Sequence, residues 1–332
     1  MNISRIKGQI KSYGHKMELV LGRKPGILDY AKFGVGGVLD HFKYGASIAD
    51  YFELGFYQMG AEEKKTYYTQ RFADVFDFAL DTHESIDRHN SKIYEYKHLK
   101  KYFKRDQLVS DECSFEGFSA FCEKHPVFFL KPDEESCGTG IERISVEGQD
   151  LQKVYEKVRS IRAVIDEPVV QHPAMESLCP GCINTVRVIT TKVDGKIHVM
   201  GTAIRMGNGK NIADNYALGG YGAALDKDTG VIIDRGIDHS NRRYDEHPFS
   251  HVKFKGFQVP MWDQVMKLVY DAHMDYDLNY CGWDIAVREN DCVLIEANPR
   301  PMIDLTQVAG NGGKKSRYQA VYDLWKATDG KK

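Results

Sequence analysis

The stretch from residue 281 to residue 301 constrains the fold more than any other part of the sequence. It contains two strands joined by an Asn290-Asp291 turn, a pattern that predicts a β-hairpin. Three oxygen donors then lie close together on the hairpin: Asp284, Glu296 and Asn298. Mg²⁺ held by carboxylates and by nucleotide phosphates is the usual way to neutralise such groups in phosphoryl-transfer sites. The hairpin therefore predicts a magnesium site. The alternative is that the two carboxylates only end strands at the protein surface and bind no metal.

A second pattern lies upstream, where an apolar strand ends in a lysine and leads into a glycine-containing loop. The strand ends at Lys131-Pro132, the loop spans residues 134–140, and another strand follows at 141–146. Glycines let the backbone adopt positive φ angles and bring N–H groups close to phosphate oxygens. The sequence has no G-x-x-x-x-G-K-[ST] loop and no G-x-G-x-x-G turn, so a P-loop or Rossmann site is disfavoured. The lysine and the loop predict a different phosphate-binding arrangement.

Composition limits the classes of partner. The 332 residues are 42% hydrophobic and 28% charged, which is ordinary for a globular protein with a large core. The 45 basic and 47 acidic side chains nearly cancel, so net charge favours neither a nucleic-acid partner nor an anionic membrane, and any anion site must be local. The apolar runs are far shorter than the ~20 residues that span a bilayer, and the N-terminus has no signal-peptide core. We therefore expect a cytoplasmic protein with no transmembrane segment.

Periodicity divides the chain into three parts. The first, residues 1–90, has apolar residues at helical spacing and predicts a helical region. The second, residues 91–171, predicts an α+β lobe in which a helix over 151–165 is followed by a strand at 168–171. The third, residues 172–332, predicts a second lobe with long strands, the hairpin and a C-terminal helix.

Three other features favour ordinary structural roles. Residues 1–24 carry six basic side chains against one acid, and we expect a solvated helix face rather than a membrane or acidic-partner contact. The pair Cys179 and Cys182 has CxxC spacing, but no second pair completes a zinc site, so we expect neither a metal nor a redox role. The polar stretch with His239, His247 and His251 predicts a solvated loop near the entrance to a substrate site.

Several short motifs, in this order along most of the chain, resemble those of the ATP-grasp enzymes, and within them the sugar-transfer associated ATP-grasp proteins. The motifs are Asn-Ser-Lys92-Ile-Tyr, Lys131-Pro132 with its glycine loop, Val169-Val170-Gln171-His172-Pro173, Asn184-Thr-Val-Arg187-Val-Ile-Thr, Arg205, Asp214-Asn215-Tyr216 with Gly219-Gly220, Asp284, and Glu296-Ala-Asn298-Pro-Arg300-Pro. The resemblance implies an α+β ATP-grasp fold in which two α+β lobes enclose ATP, together with the helical N-terminal region.

The resemblance also implies a role for each motif. The nucleotide-binding residues would be Lys92 and Lys131 at the phosphates, Ser136, Gly138, Thr139 and Gly140 in the closing loop, and Val170, Gln171 and His172 at the adenine hinge. The other sets would be Arg187, Arg205 and Arg300 for catalysis, Asn215, Gly219, Gly220 and Arg300 for substrate, and Asp284, Glu296 and Asn298 for Mg²⁺. Lys97, Lys100 and Lys101 are expected on the same helix as Lys92, and one of them could bind the phosphates in its place.

The implied activity is that of an ATP-dependent carboxylate–amine ligase that acts through an acyl phosphate. Its partners would be a small-molecule carboxylate and an amine, such as an amino sugar or an amino acid, in surface polysaccharide biosynthesis. Two alternatives remain. The same fold could act as a kinase on a hydroxyl group, or the chain could be a noncatalytic nucleotide-binding module of a polysaccharide assembly.

Overall fold

A computed structural model describes residues 13–133, 140–209, 219–308 and 312–331. The N-terminal region is helical, as its periodicity predicts. Its helices are α1 (13–21), α2 (Ile27–Tyr44), α3 (Ile48–Glu53), α4 (Ala61–Lys64), α5 (Gln70–Leu80) and α6 (His83–His89), with a 3₁₀ turn at Phe56–Gln58. A further helix, α7 (Lys92–Phe103), begins at Ser91, whose side chain accepts the N–H of Tyr94 and caps the first turn.

The smaller lobe contains a four-stranded antiparallel sheet. Its strands are β1 (Gln107–Val109), β2 (Val127–Pro132), β3 (Glu142–Ser145) and β4 (Ala163–Asp166), in the order β1-β4-β2-β3. Two helices cover it, α8 (Phe115–Lys124) and α9 (Leu151–Arg159). Phe118, Phe128 and Tyr155 are buried between the helices and the sheet. This core is separate from that of the larger lobe.

The prediction for residues 151–171 was wrong in two respects. The helix ends at Arg159, and the strand that follows is β4 at 163–166 rather than 168–171. Ile165 continues the helical spacing by coincidence, because it pairs with Leu130 in the centre of the small sheet. Pro168 has no N–H to donate to a strand ladder, and the backbone beyond β4 is irregular.

The larger lobe contains a seven-stranded antiparallel sheet. Its strands are β5 (Thr185–Val193), β6 (Lys196–Met206), β7 (Tyr221–Ala224), β8 (Gly236–Asp238), β9 (Arg243–Tyr244), β10 (Tyr280–Val287) and β11 (Cys292–Pro299), in the order β11-β10-β5-β6-β7-β8-β9. The helices are α10 (Pro173–Leu178), α11 (Trp262–Asp275), α12 (Asp304–Val308) and α13 (Lys315–Ala327), with a 3₁₀ turn at Asp329–Lys331. The hairpin predicted at 281–301 is formed by β10 and β11.

The two faces of the large sheet have different coverings. One face buries Val188, Ile285 and Trp283 in a core that includes α11. On the other face, Leu305 of α12 packs with Ala203, Ala224 and N-terminal helices. Within the described residues, no helix combines the length and apolarity needed to cross a membrane. The fold is thus two α+β lobes with a helical N-terminal region, as predicted from the family resemblance.

Candidate active site between the two lobes

A cavity of about 180 Å³ lies between the two lobes. Its walls come from α7, from the small sheet and from the β5, β6, β10 and β11 strands of the large sheet. The charged residues that line it are Lys92, Glu95, Arg105, Lys131, Asp166, Glu167, Arg205, Asp284 and Glu296. The segments that carry these side chains are distant in sequence, so the cavity depends on the packing of both lobes.

The register of the hairpin brings the predicted metal ligands onto one face. Asp284 pairs with Glu296, and Gly282 pairs with Asn298. A register shift after Asp284 leaves Ile295 as an extra residue on β11. The Nδ2 atom of Asn298 donates to Oδ2 of Asp284 over 3.2 Å. The structure therefore places three oxygen-bearing side chains beside the cavity.

Asp284 is fully buried and held by two arginines. Arg187 donates to both carboxylate oxygens, with Nη2 at 2.8 Å from Oδ2, and Nη2 of Arg205 lies 3.0 Å from the same oxygen. Burial raises the pKa of Asp284, but the two guanidinium groups outweigh it and hold the pKa below the ordinary value. The carboxylate is therefore ionised, and it orients both arginines.

Glu296 has a more open environment than Asp284. Its side chain is 37% exposed, and its Oε1 atom lies 3.9 Å from Nζ of Lys92. Lys92 lines the cavity, whereas Lys97 pairs with Glu112 and Lys101 pairs with Asp275. Among the lysines of α7, Lys92 is thus the one that lines the cavity.

Lys131 belongs to a buried network that links the lobes. Its Nζ atom donates to Oδ2 of Asp166 over 2.5 Å, and Arg105 donates to both oxygens of the same carboxylate. Burial raises the pKa of Asp166, but Arg105 and Lys131 together lower it to about 2. Arg105 also donates from Nη1 to the carbonyl of Leu294 on β11. The small sheet is therefore tied to the strand that carries Glu296.

Sequence reasoning missed Glu95, Arg105, Asp166 and Glu167 as cavity residues. Glu95 is buried and accepts the backbone N–H of Ala297, next to Glu296. Burial and the nearby charge of Glu296 raise the pKa of Glu95 well above its ordinary value. Glu95 lies one helical turn after Lys92, which is a signal that the sequence contained. The positions of Arg105 and Asp166 depend on contacts between distant segments.

The predicted adenine hinge lies partly away from the cavity. Val170 is 81% exposed, and the buried amide of Gln171 donates to the carbonyl of Cys182 and accepts the N–H of Asn184. The Nδ1 atom of His172 accepts the N–H of Ala174 and caps α10. The residues near this segment that line the cavity are Asp166, Glu167 and Val169. They precede the predicted hinge residues because β4 ends earlier in the sequence than expected.

Arg300 also lies outside the cavity wall. Its Nε atom is 3.0 Å from Asp77, its Nη2 atom is 2.9 Å from Asp74, and its guanidinium lies over the ring of Phe78. These partners all belong to α5 of the N-terminal region. The structure thus brings Arg187 and Arg205 together but separates Arg300 from them.

The predicted loop residues are only partly described. Ser136, Gly138, Thr139 and Asn215 lie outside the described residues. Gly140 has a φ of 73° and follows the loop, in agreement with the conformational freedom that its position requires. Gly219, with a φ of 93°, and Gly220 precede β7.

Among the described residues, potential metal-ligating side chains cluster at Asp106, His125 and Glu167, and this cluster includes neither the cysteine pair nor His239, His247 or His251. The thiols of Cys179 and Cys182 are buried and remain reduced, and a hydrogen bond from Cys182 lowers the pKa of Cys179 to about 7. The expectation of a solvated His247 was wrong, because this side chain is fully buried and its Nε2 atom lies 2.9 Å from the carbonyl of Gly207.

Two α+β lobes around a charged cleft are the architecture of the ATP-grasp proteins. The sequence matches the family model described as sugar-transfer associated ATP-grasp over residues 105–323, more than half of the chain. The chain belongs to this family. A search of curated proteins found no match.

Solved structures also resemble the chain at low identity. One is carboxyaminoimidazole ribonucleotide synthase from Aspergillus clavatus complexed with ATP, with 13% identity and a TM-score of 0.41 over 64% of this chain and 45% of that enzyme. Another is the ATP-grasp ligase PsnB complexed with a minimal precursor, with 12% identity and a TM-score of 0.45 over 74% of this chain and 64% of that protein. The chain thus spans less than half of the length of the fungal enzyme.

Proposed function

We propose that the protein is an ATP-dependent carboxylate–amine ligase that acts through an acyl phosphate. The observation that carries this proposal is the convergence of Lys92, Lys131, Arg205 and Glu296 on one cavity between the lobes. Triphosphate needs cations from separate segments and an Mg²⁺ ion that bridges its oxygens. The cavity has lysines from both sides and a carboxylate open to solvent, which are the groups that this chemistry requires.

The oxygen donors at the hairpin fit a hard cation. The amide nitrogen of Asn298 donates to Asp284, which leaves the amide oxygen available for a metal. Glu296 would supply a carboxylate oxygen, and Asp284 would supply Oδ1, whose hydrogen-bond donor among the described residues is Arg187. When bound there, Mg²⁺ would neutralise charge on the nucleotide phosphates.

The remaining side chains have distinct roles in the proposed reaction. Lys92 and Lys131 would bind the phosphates, with Lys131 shared between phosphate and Asp166. The carboxylate substrate would attack the γ-phosphate and displace ADP, and the amine would then attack the carbonyl carbon of the acyl phosphate and displace phosphate. Arg205 would stabilise the oxyanion, because it lines the cavity, whereas Arg187 makes a bidentate pair with Asp284.

Family membership supports a sugar or an amino acid as one substrate, in surface polysaccharide biosynthesis. The kinase alternative uses the same nucleotide and metal groups and differs only in the acceptor. A noncatalytic role is disfavoured, because a nucleotide-binding module does not need oxygen donors on two strands beside a phosphate site.

Hydroxylamine trapping tests the proposal. The purified protein is given ATP, Mg²⁺ and a panel of amino acids and sugar acids, with hydroxylamine in place of an amine. We expect a hydroxamate and ADP with the correct carboxylate, since an acyl phosphate reacts with hydroxylamine and a phosphate ester does not. ADP release with a stable phosphorylated product and no hydroxamate would show that the protein is a kinase.

A further inference from the structure

Helix α2 has an apolar face that is exposed over its whole length. Its residues are Ile27, Leu28, Val35, Val38, Leu39 and Phe42, each 57–87% exposed. Their spacing places them on one side of the helix. The opposite side is anchored, because Phe33 is buried against Phe52 and Asp40 pairs with Lys64. Six large exposed apolar side chains on one rigid helix are typical of a docking surface.

The charges beside this apolar face are cationic. Lys32 and Lys43 lie three helical turns apart along the same edge and are both exposed. The acidic residues of α2 point elsewhere, because Asp40 is buried and Asp29 accepts from Arg23 and from the N–H of Gly26. The border of the apolar face therefore presents positive charge to whatever covers it.

A basic groove continues from the C-terminal end of α2. Its cationic lining residues are Lys43, Lys64, Lys65, Arg71 and Lys315. Val75, which is 54% exposed, also lines the groove. Lys43 belongs to both surfaces, so the apolar face and the basic groove form one continuous patch.

We propose that this patch docks the protein on the surface of an anionic lipid bilayer. The apolar face of α2 would enter the interfacial layer, while Lys32, Lys43 and the basic groove would contact lipid phosphates. The helix would lie on the membrane, since no described helix is suited to cross one. A second copy of the chain would bring the same cations against each other, whereas anionic lipid neutralises them.

Vesicle co-sedimentation of the full chain tests the apolar face. We expect binding to vesicles of phosphatidylcholine with 30% phosphatidylglycerol and about tenfold weaker binding after Phe42→Glu or Leu39→Glu, because each removes a large apolar side chain from the interface. Met274→Glu is the matched control, since Met274 is 52% exposed on α11, outside the patch. Its binding should equal that of the unmodified protein. Equal losses in all three variants would overturn the proposal.

A second vesicle experiment tests the cations of the patch with the double variant Lys43→Glu and Lys65→Glu. We expect binding to anionic vesicles to fall at least about tenfold and to weaken with added salt. The control pair Lys153→Glu and Lys157→Glu changes exposed cations of the small lobe and should have no effect. Absence of vesicle binding would overturn the proposal. So would a dimer in light scattering that Phe42→Glu dissociates, because the face would then belong to a second copy.

Discussion

At the scale of single residues, burial separates two carboxylates that sequence alone treats alike. Asp284 is fully buried between Arg187 and Arg205, whereas Glu296 is 37% exposed on the facing strand. Asp284 therefore orients charged side chains, and Glu296 is the more accessible oxygen donor. This difference predicts distinct consequences for their isosteric amide variants.

The first prediction compares these two variants. Glu296→Gln should lower ATP turnover about 100-fold or more while thermal stability stays unchanged, because a metal ligand is lost from an open position. Asp284→Asn should also lower turnover, but it should reduce the free energy of unfolding by about 3 kcal/mol, since two guanidinium groups lose their counter-charge. Turnover assays and thermal unfolding measure both effects. Normal turnover in Glu296→Gln would remove the metal site from the hairpin.

The second prediction concerns His273, which is fully buried in a hydrogen-bonded chain. Trp283 donates to Oγ1 of Thr190, Nδ1 of His273 lies 2.6 Å from that oxygen, and Nε2 lies 3.0 Å from the carbonyl of Leu278. Because a carbonyl only accepts, Nε2 carries the proton, and the hydroxyl of Thr190, which accepts from Trp283, can donate its own proton to Nδ1 of a neutral ring. Burial lowers the pKa of His273 from 6.5 to about 3.

Since the folded-state pKa lies below the unfolded value, the unfolded chain binds a proton first as the pH falls. Because of His273, the free energy of unfolding should therefore be about 2 kcal/mol lower at pH 5 than at pH 7. Chemical denaturation at the two pH values measures this difference, and the difference should be smaller in His273→Gln. An unchanged dependence in His273→Gln would contradict the assignment.

At the scale of elements, β11 is an edge strand whose free backbone groups are satisfied by side chains. Lys104 donates to the carbonyl of Cys292, Arg105 donates to that of Leu294, and Glu95 accepts the N–H of Ala297. All three come from α7 or the residues just after it. Helix α7 thus replaces a neighbouring strand, and it holds Lys92 beside Glu296.

The third prediction tests this arrangement with Arg105→Lys. The side chain of Arg105 is fully buried. Lysine would keep the positive charge but could not donate at once to the carboxylate of Asp166 and to the carbonyl of Leu294, as the planar guanidinium does. We expect unfolding free energy to fall by about 2 kcal/mol and ATP affinity to weaken, because Lys131 and Glu296 lose their common anchor. Calorimetric titration and thermal unfolding measure these changes. Lys104→Ala is the milder control, as its side chain is 42% exposed, and equal effects of both variants would refute the anchoring role.

At the scale of the whole molecule, the N-terminal region is packed into the larger lobe. Tyr68 and Phe76 share a core with Tyr280 and Tyr318. The carboxylate of Asp81 accepts the backbone N–H groups of Asn279 and Tyr280 at the start of β10. The helical region therefore supports the strand that carries Asp284.

The fourth prediction follows from this packing. A chain lacking residues 1–90 should aggregate or unfold, because removal of the helices exposes aromatic side chains of the large sheet. Circular dichroism and ATP-binding measurements on the shortened chain give the readout. A stable monomer that binds ATP as well as the full chain would show that the region is an independent appendage.

The sequence by itself determined the elements whose signals are local. The turn residues at 290–291 predicted the hairpin, and apolar spacing predicted the helical N-terminal region. These signals are readable because each depends on neighbouring residues within one strand or a few helical turns. That Asp284, Glu296 and Asn298 share one face depends on the extra residue Ile295 in β11, which alternation alone does not predict.

Only the tertiary structure decided which charged groups meet. Arg105 reaches Asp166 across 61 positions of the chain, and Arg187 reaches Asp284 across 97. Arg300 lies two residues after the predicted metal ligand Asn298 in the sequence, yet it pairs with Asp74 and Asp77 of the N-terminal region. Such pairs are chosen by the packing of sheets and helices, which local periodicity does not encode. The physical reason is that a buried charge must find its partner in space, wherever the chain places it.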